Sequence, residues 1–111
     1  MHVISVQPGE EVMESLTRQL KDLDITSGAV ASLVGAVDSC GISNMATRDA
    51  KTDIVTEYEQ PFELSGNGEI LDGKPHLHCV LSGEGNSALA GHLHWALVRT
   101  FFVRAYIVPN L

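Results

Sequence analysis

Only one segment of this chain repeats its apolar residues at helical spacing. Val12, Leu16, Leu20 and Leu23 recur every three or four residues, and Met13 widens the stripe. The spacing predicts an amphipathic helix over about 9–23, four turns with one face for a core. Pro8-Gly9 breaks the chain before it, and Glu10 and Glu11 put negative charge where a helix first turn favours it. Glu14, Arg18, Lys21 and Asp22 make up the polar face and read as solvated.

Everything else reads at strand period or as turn. His2 to Val6 is a short opening strand, and Ala29 to Val37 is a buried strand with small residues at Gly35 and Ala36. Ile42 opens another extended piece, Thr47 to Thr52 reads as a polar link, and Ile54 to Tyr58 alternates as a strand. Phe62, Leu64 and Ile70 mark a further strand, with a bulge or bend expected at Gly66-Asn67-Gly68. Asp72-Gly73-Lys74 is a tight turn, and His76 to Ser82, Ala88 to Trp95 and Thr100 to Val108 complete a strand-rich half. One helix with many antiparallel strands gives an α+β fold: a single domain over 1–111, an antiparallel-dominated β-sheet with the N-terminal helix packed on it. One helix covers little of such a sheet, so an apolar face left over hints at oligomerisation.

Composition narrows the function classes. Fourteen Asp and Glu against seven Lys and Arg leave a net charge of −7, and no two of the basic residues are adjacent. Nucleic-acid binders neutralise phosphates with clustered cations, so direct DNA binding is disfavoured. The longest mostly apolar stretch, Gly28 to Val37, is too short to span a bilayer as a helix. The first residues lack a basic segment followed by an apolar run, so no signal peptide is expected and the cytoplasm is the default location. Cys40 and Cys79 lack CxxC spacing and read as two buried thiols.

The residues that carry chemistry are histidines. His76, His78, His92 and His94 form two His-Leu-His segments on either side of a Gly-rich turn. In a strand, residues i and i+2 share a face about 6–7 Å apart. Imidazoles so placed can converge on one ion at zinc–nitrogen distances of about 2.0–2.1 Å. Register decides how many converge. An odd-numbered turn centred on Gly85 sets His78 against His92 and His76 against His94, whereas an even one sends the two pairs to opposite faces. His76, His78 and His92 are the best trio, with His94 as an additional ligand candidate. Three ligands would leave a position open for water or substrate, and four would close the site. Of the carboxylates available to hydrogen-bond a ligating histidine or act as general base, Glu63 is harder to dismiss than Asp72, a turn former, or Glu84, a loop charge. No catalytic residue can be assigned.

The strings Phe62-Glu63-Leu64-Ser65-Gly66-Asn67-Gly68-Glu69-Ile70, Asp72-Gly73-Lys74-Pro75-His76-Leu77-His78 and Gly91-His92-Leu93 resemble the plant and prokaryote conserved (PPC) domain. Pro8-Gly9-Glu10 and Val34-Gly35-Ala36 extend the resemblance over essentially the whole chain. It implies an α+β domain assembled as a homotrimer, with a metal such as zinc held at the histidines matching His76, His78 and His92. In land plants the domain follows an AT-hook, and prokaryotic stand-alone members inherit a DNA-binding label from that analogy. This chain has no Arg-Gly-Arg core for a hook, and His94 is additional to the family pattern. A trimeric binding or regulatory module with a histidine-lined metal or small-ligand site is therefore expected first. A zinc-dependent enzyme using a three-histidine metal-bound water comes second, and a direct DNA-binding regulator third.

Overall fold

The structure, a computed structural model, describes residues 1–110. In chain order the elements are β1 (His2–Val6), α1 (Val12–Asp22), β2 (Gly28–Val37), β3 (Ser39–Ala46) and β4 (Asp49–Tyr58). β5 (Phe62–Leu71), β6 (Lys74–Ser82), a 3-10 turn at Glu84–Asn86, β7 (Ala88–Leu97) and β8 (Val103–Pro109) follow. The eight strands form one sheet in the order β1-β8-β2-β5-β6-β7-β3-β4, every described pairing antiparallel.

The core lies on one face of that sheet. Val12, Leu16 and Leu20 of α1 are buried in the same cluster as Ile4, Leu33, Leu77, Leu81, Leu93 and Ile107 from the strands. The helix begins two to three residues later than the stripe predicts because Glu11 is its N-cap. The Glu11 carboxylate accepts hydrogen bonds from the backbone N–H groups of Met13 and Glu14, at 2.9 Å each. It also accepts one from Ala96 of β7 at 2.9 Å, so one side chain satisfies two free helix donors and ties α1 to the sheet.

Three local expectations are corrected. The Gly66-Asn67-Gly68 segment does not bend: β5 pairs with β6 without interruption from Glu63 to Leu71, and the irregularity lies opposite, in β2 between Val30 and Leu33. The glycines instead allow close approach, since a Cβ at Gly66 or Gly68 would collide with the carbonyl oxygens of His78 or His76. The polar link shrinks to a turn, because β4 already starts at Asp49, whose carboxylate accepts from Lys51 N–H and Thr52 Oγ1. Finally, β8 starts at Val103 and not at Thr100. Asp38 holds the preceding loop by accepting from the N–H groups of Arg99 and Thr100 and from Thr100 Oγ1.

Candidate metal centre

Turn chemistry sets the histidine geometry. Ser82 pairs with Ala88, so five residues close the β6–β7 hairpin around Gly85. Gly85 and Asn86 take positive φ values of 80° and 65°, and Gly83 N–H donates to the Ser87 carbonyl at 3.0 Å. The loop is therefore odd-numbered, and His78 lies directly opposite His92. Leu77, Cys79 and Leu81 point into the core, which turns His76, His78 and Val80 to the face away from α1.

On that face three imidazoles meet. The nearest ligating nitrogens of His76, His78 and His92 all lie within 4.8 Å of one another. His76 Nε2 and His92 Nδ1 are 2.8 Å apart and share a hydrogen bond. Tetrahedral angles at ordinary zinc–nitrogen bond lengths separate donor atoms by about 3.4 Å, so rotation of exposed rings suffices to fit one ion. Burial, followed by the neighbouring His76, His94 and His78, holds the pKa of His92 below the usual imidazole value, which favours the neutral, ligating form. His76 and His78 are exposed and His92 is half-buried, so a bound ion would face solvent on one side.

His94 lies beside this trio but outside it. β7 carries a bulge here: Leu93 pairs with Ile42 and Trp95 with Gly41, which leaves His94 as the extra residue. The β6–β7 ladder ends at His78 and His92, so the expected pairing of His76 with His94 does not form. His94 Nε2 instead lies 2.8 Å from Ser43 Oγ, although its ring remains 4.7 Å from that of His92.

Glu63 lies elsewhere. It pairs with Ser82, four positions along β5 from the Asn67–His78 pair, about 13 Å at strand rise. It lines a separate cleft of about 690 Å³ with Phe62, Glu84 and Phe101.

The sequence matches a known domain family. The family model for the Plants and Prokaryotes Conserved (PCC) domain covers residues 1–109. The chain belongs to the PCC domain family. No curated protein matches it. Among solved structures, a metal-containing protein from Archaeoglobus fulgidus is similar at 26% identity and a TM-score of 0.75, over 98% of this chain and 80% of the other. A PPC protein from Pyrococcus horikoshii is similar at 22% identity and a TM-score of 0.76, over 98% and 79% of the two chains. A candidate DNA-binding protein from Bacteroides thetaiotaomicron has 22% identity and a TM-score of 0.79, over 97% and 77%.

Two neighbours of the PCC histidines escaped the sequence reading. The turn Asp72-Gly73, with φ values of 52° and 76°, is a two-residue hairpin turn, and it pairs Glu69 with His76 and Asn67 with His78. Directly paired residues share a face, so Glu69 and Asn67 stand beside the cluster. Counting outward from the Asp-Gly turn would have found both, because a two-residue loop fixes the register.

Proposed function

We propose that this PCC domain works as a homotrimeric binding or regulatory module in the cytoplasm, holding a divalent metal, zinc foremost, at His76, His78 and His92. The observation that carries this reading is the convergence of three imidazole nitrogens within 4.8 Å on a sheet face that no helix covers. Nitrogen-only donors suit zinc better than magnesium or calcium, which prefer oxygen. The similarity to a metal-containing archaeal protein at 26% identity supports it. The trimer is supported by the large apolar side chains left exposed, among them Val3, Val34, Val80 and Val108. His94 and Glu63 stay outside the ligand set.

An enzymatic role is the second reading, and Glu69 is the observation in its favour. Three histidines leave a coordination position free, where zinc would supply an acidified water. Glu69, paired with His76, is a carboxylate on the same sheet face that would accept a proton from a group bound there.

The metal reading is tested by elemental analysis of protein purified without chelator. The parent is expected to carry close to one zinc per chain, and His76→Ala combined with His78→Ala to carry none. Equal zinc in both proteins would sink the assignment. Glu69→Gln separates the two roles: a binding module keeps its metal and loses nothing else.

A further inference from the structure

β3 and β4 together leave the body of the sheet. The β3–β7 ladder ends at Ser43 and His92, while β3 and β4 remain paired from there to Met45–Asp53 and Ala46–Asp49. Beyond Ser43 the two strands pair only with each other, held to β7 by the Asn44 side-chain amide, which donates to the Ala90 carbonyl at 2.8 Å, and β4 is exposed from Asp49 to Glu57. A lone two-stranded hairpin is marginally stable in water. This one also exposes large apolar groups on both faces: Met45 is 64% accessible, Ile54 56% and Val55 50%.

A second apolar surface lies on the histidine-bearing face of the sheet. Val34 and Val80 are 45% and 43% accessible there, and Ser65, paired with both, links them in one row. A groove of about 580 Å³ runs beside that row, lined by Asn67, His78, Val80 and Ala90. Arg104 pairs with Val34 on the same face, and Asp53 pairs with Met45 on the arm. Among the described residues neither Arg104 nor Asp53 forms an ion pair.

The geometry points to one occupant for both surfaces: the β3–β4 arm of one copy lies on the histidine-bearing sheet face of the next. The inference rests on the trimer proposed above. Three-fold assemblies require heterologous contacts between two different patches, and a self-complementary contact cannot build them. Arm and groove are two such patches on one chain, with apolar groups on both and opposite charges at Asp53 and Arg104. Arm-to-arm pairing through the open edge of β4 would leave Val34 and Val80 in water. The contact also roofs the three histidines, so assembly and access to the metal centre are coupled.

The test uses light scattering on the full chain at micromolar concentration, with circular dichroism to check folding. The parent is expected to have the mass of three chains. The arm variant Ile54→Lys with Val55→Lys and the face variant Val34→Lys with Val80→Lys should each be folded monomers, since all four positions are exposed. Mixing the two should give a dimer of one chain of each, because an intact arm then meets an intact face once. Met45→Lys replaces the arm variant if that protein fails to fold. A parent that is monomeric removes the trimer reading and this inference with it. A trimeric arm variant, or a mixture that stays monomeric, overturns the arm-to-face contact and leaves the trimer standing.

Discussion

Cys79 and His78 are adjacent in the sequence and have opposite fates, because strand alternation sends one to the core and the other to water. Burial pushes the Cys40 thiol up to about 11 and the Cys79 thiol up to about 12, the latter helped by the nearby Cys40. Both are therefore inert thiols rather than ligands or nucleophiles. In the native protein at pH 8, Ellman's reagent should label them at least ~100-fold more slowly than in the guanidinium-unfolded chain, since so little thiolate forms. Fast labelling of either would show that the strand alternation around it is wrong. His92 carries a pH signature of the opposite kind. Its pKa is lowered on folding, so below about pH 6.5 the unfolded chain binds the proton first and stability falls with pH. Urea midpoints of the metal-free protein should drop between pH 7.5 and pH 5.5, and His92→Asn should shrink that drop.

Among the elements, α1 and the two hairpins β5–β6 and β6–β7 show how local chemistry decides position. The apolar stripe announces the helix, but its start depends on Glu11, whose third acceptor contact reaches Ala96. Glu11→Ala removes a cap and a tie to β7 together and should cost about 1–2 kcal/mol in urea denaturation. An unchanged midpoint would mean that water serves those donors equally well. The Asp72-Gly73 turn and the five-residue loop around Gly85 were both readable as turns, and between them they set the register of β5, β6 and β7. Strand period made His76 and His78 legible as one face, whereas the odd loop that brings His92 to them was one of two registers open in the sequence. The bulge at His94 was not, since nothing in Gly-His-Leu-His-Trp marks where an extra residue enters. It arises where Trp95 must pair with Gly41 and lay its indole toward Glu57, whose carboxylate accepts from Nε1 at 3.2 Å.

For the molecule as a whole, one sheet face is covered and the other is not. Acidic residues outnumber basic ones two to one over the full chain, and the single described ion pair, Arg18 to Glu10 on the helix side, consumes one of the seven cations. That balance disfavours a phosphate-binding surface even though structural relatives carry a DNA-binding name. Fluorescence anisotropy at about 0.15 M salt should show no binding to mixed-sequence duplex tighter than micromolar. Nanomolar affinity would require a basic surface built between copies, and would revive the regulator reading. No helix among the described residues is long and apolar enough to cross a membrane.

The sequence by itself determined the α+β class, the one helix, the order of the strands along the chain and the strand alternation that puts His76 and His78 on one face. Those are local properties: spacing selects helix or strand, and strand period selects the face. Tertiary structure alone decided the rest. It placed β3 and β4 at the far edge of the sheet beside β7, where β4 meets no further strand and the arm projects. It moved Glu63 to a distant cleft, brought Glu69 to His76 and turned His94 to Ser43. Each of these depends on which strand lies next to which, and side-chain periodicity within a strand carries no record of its neighbours.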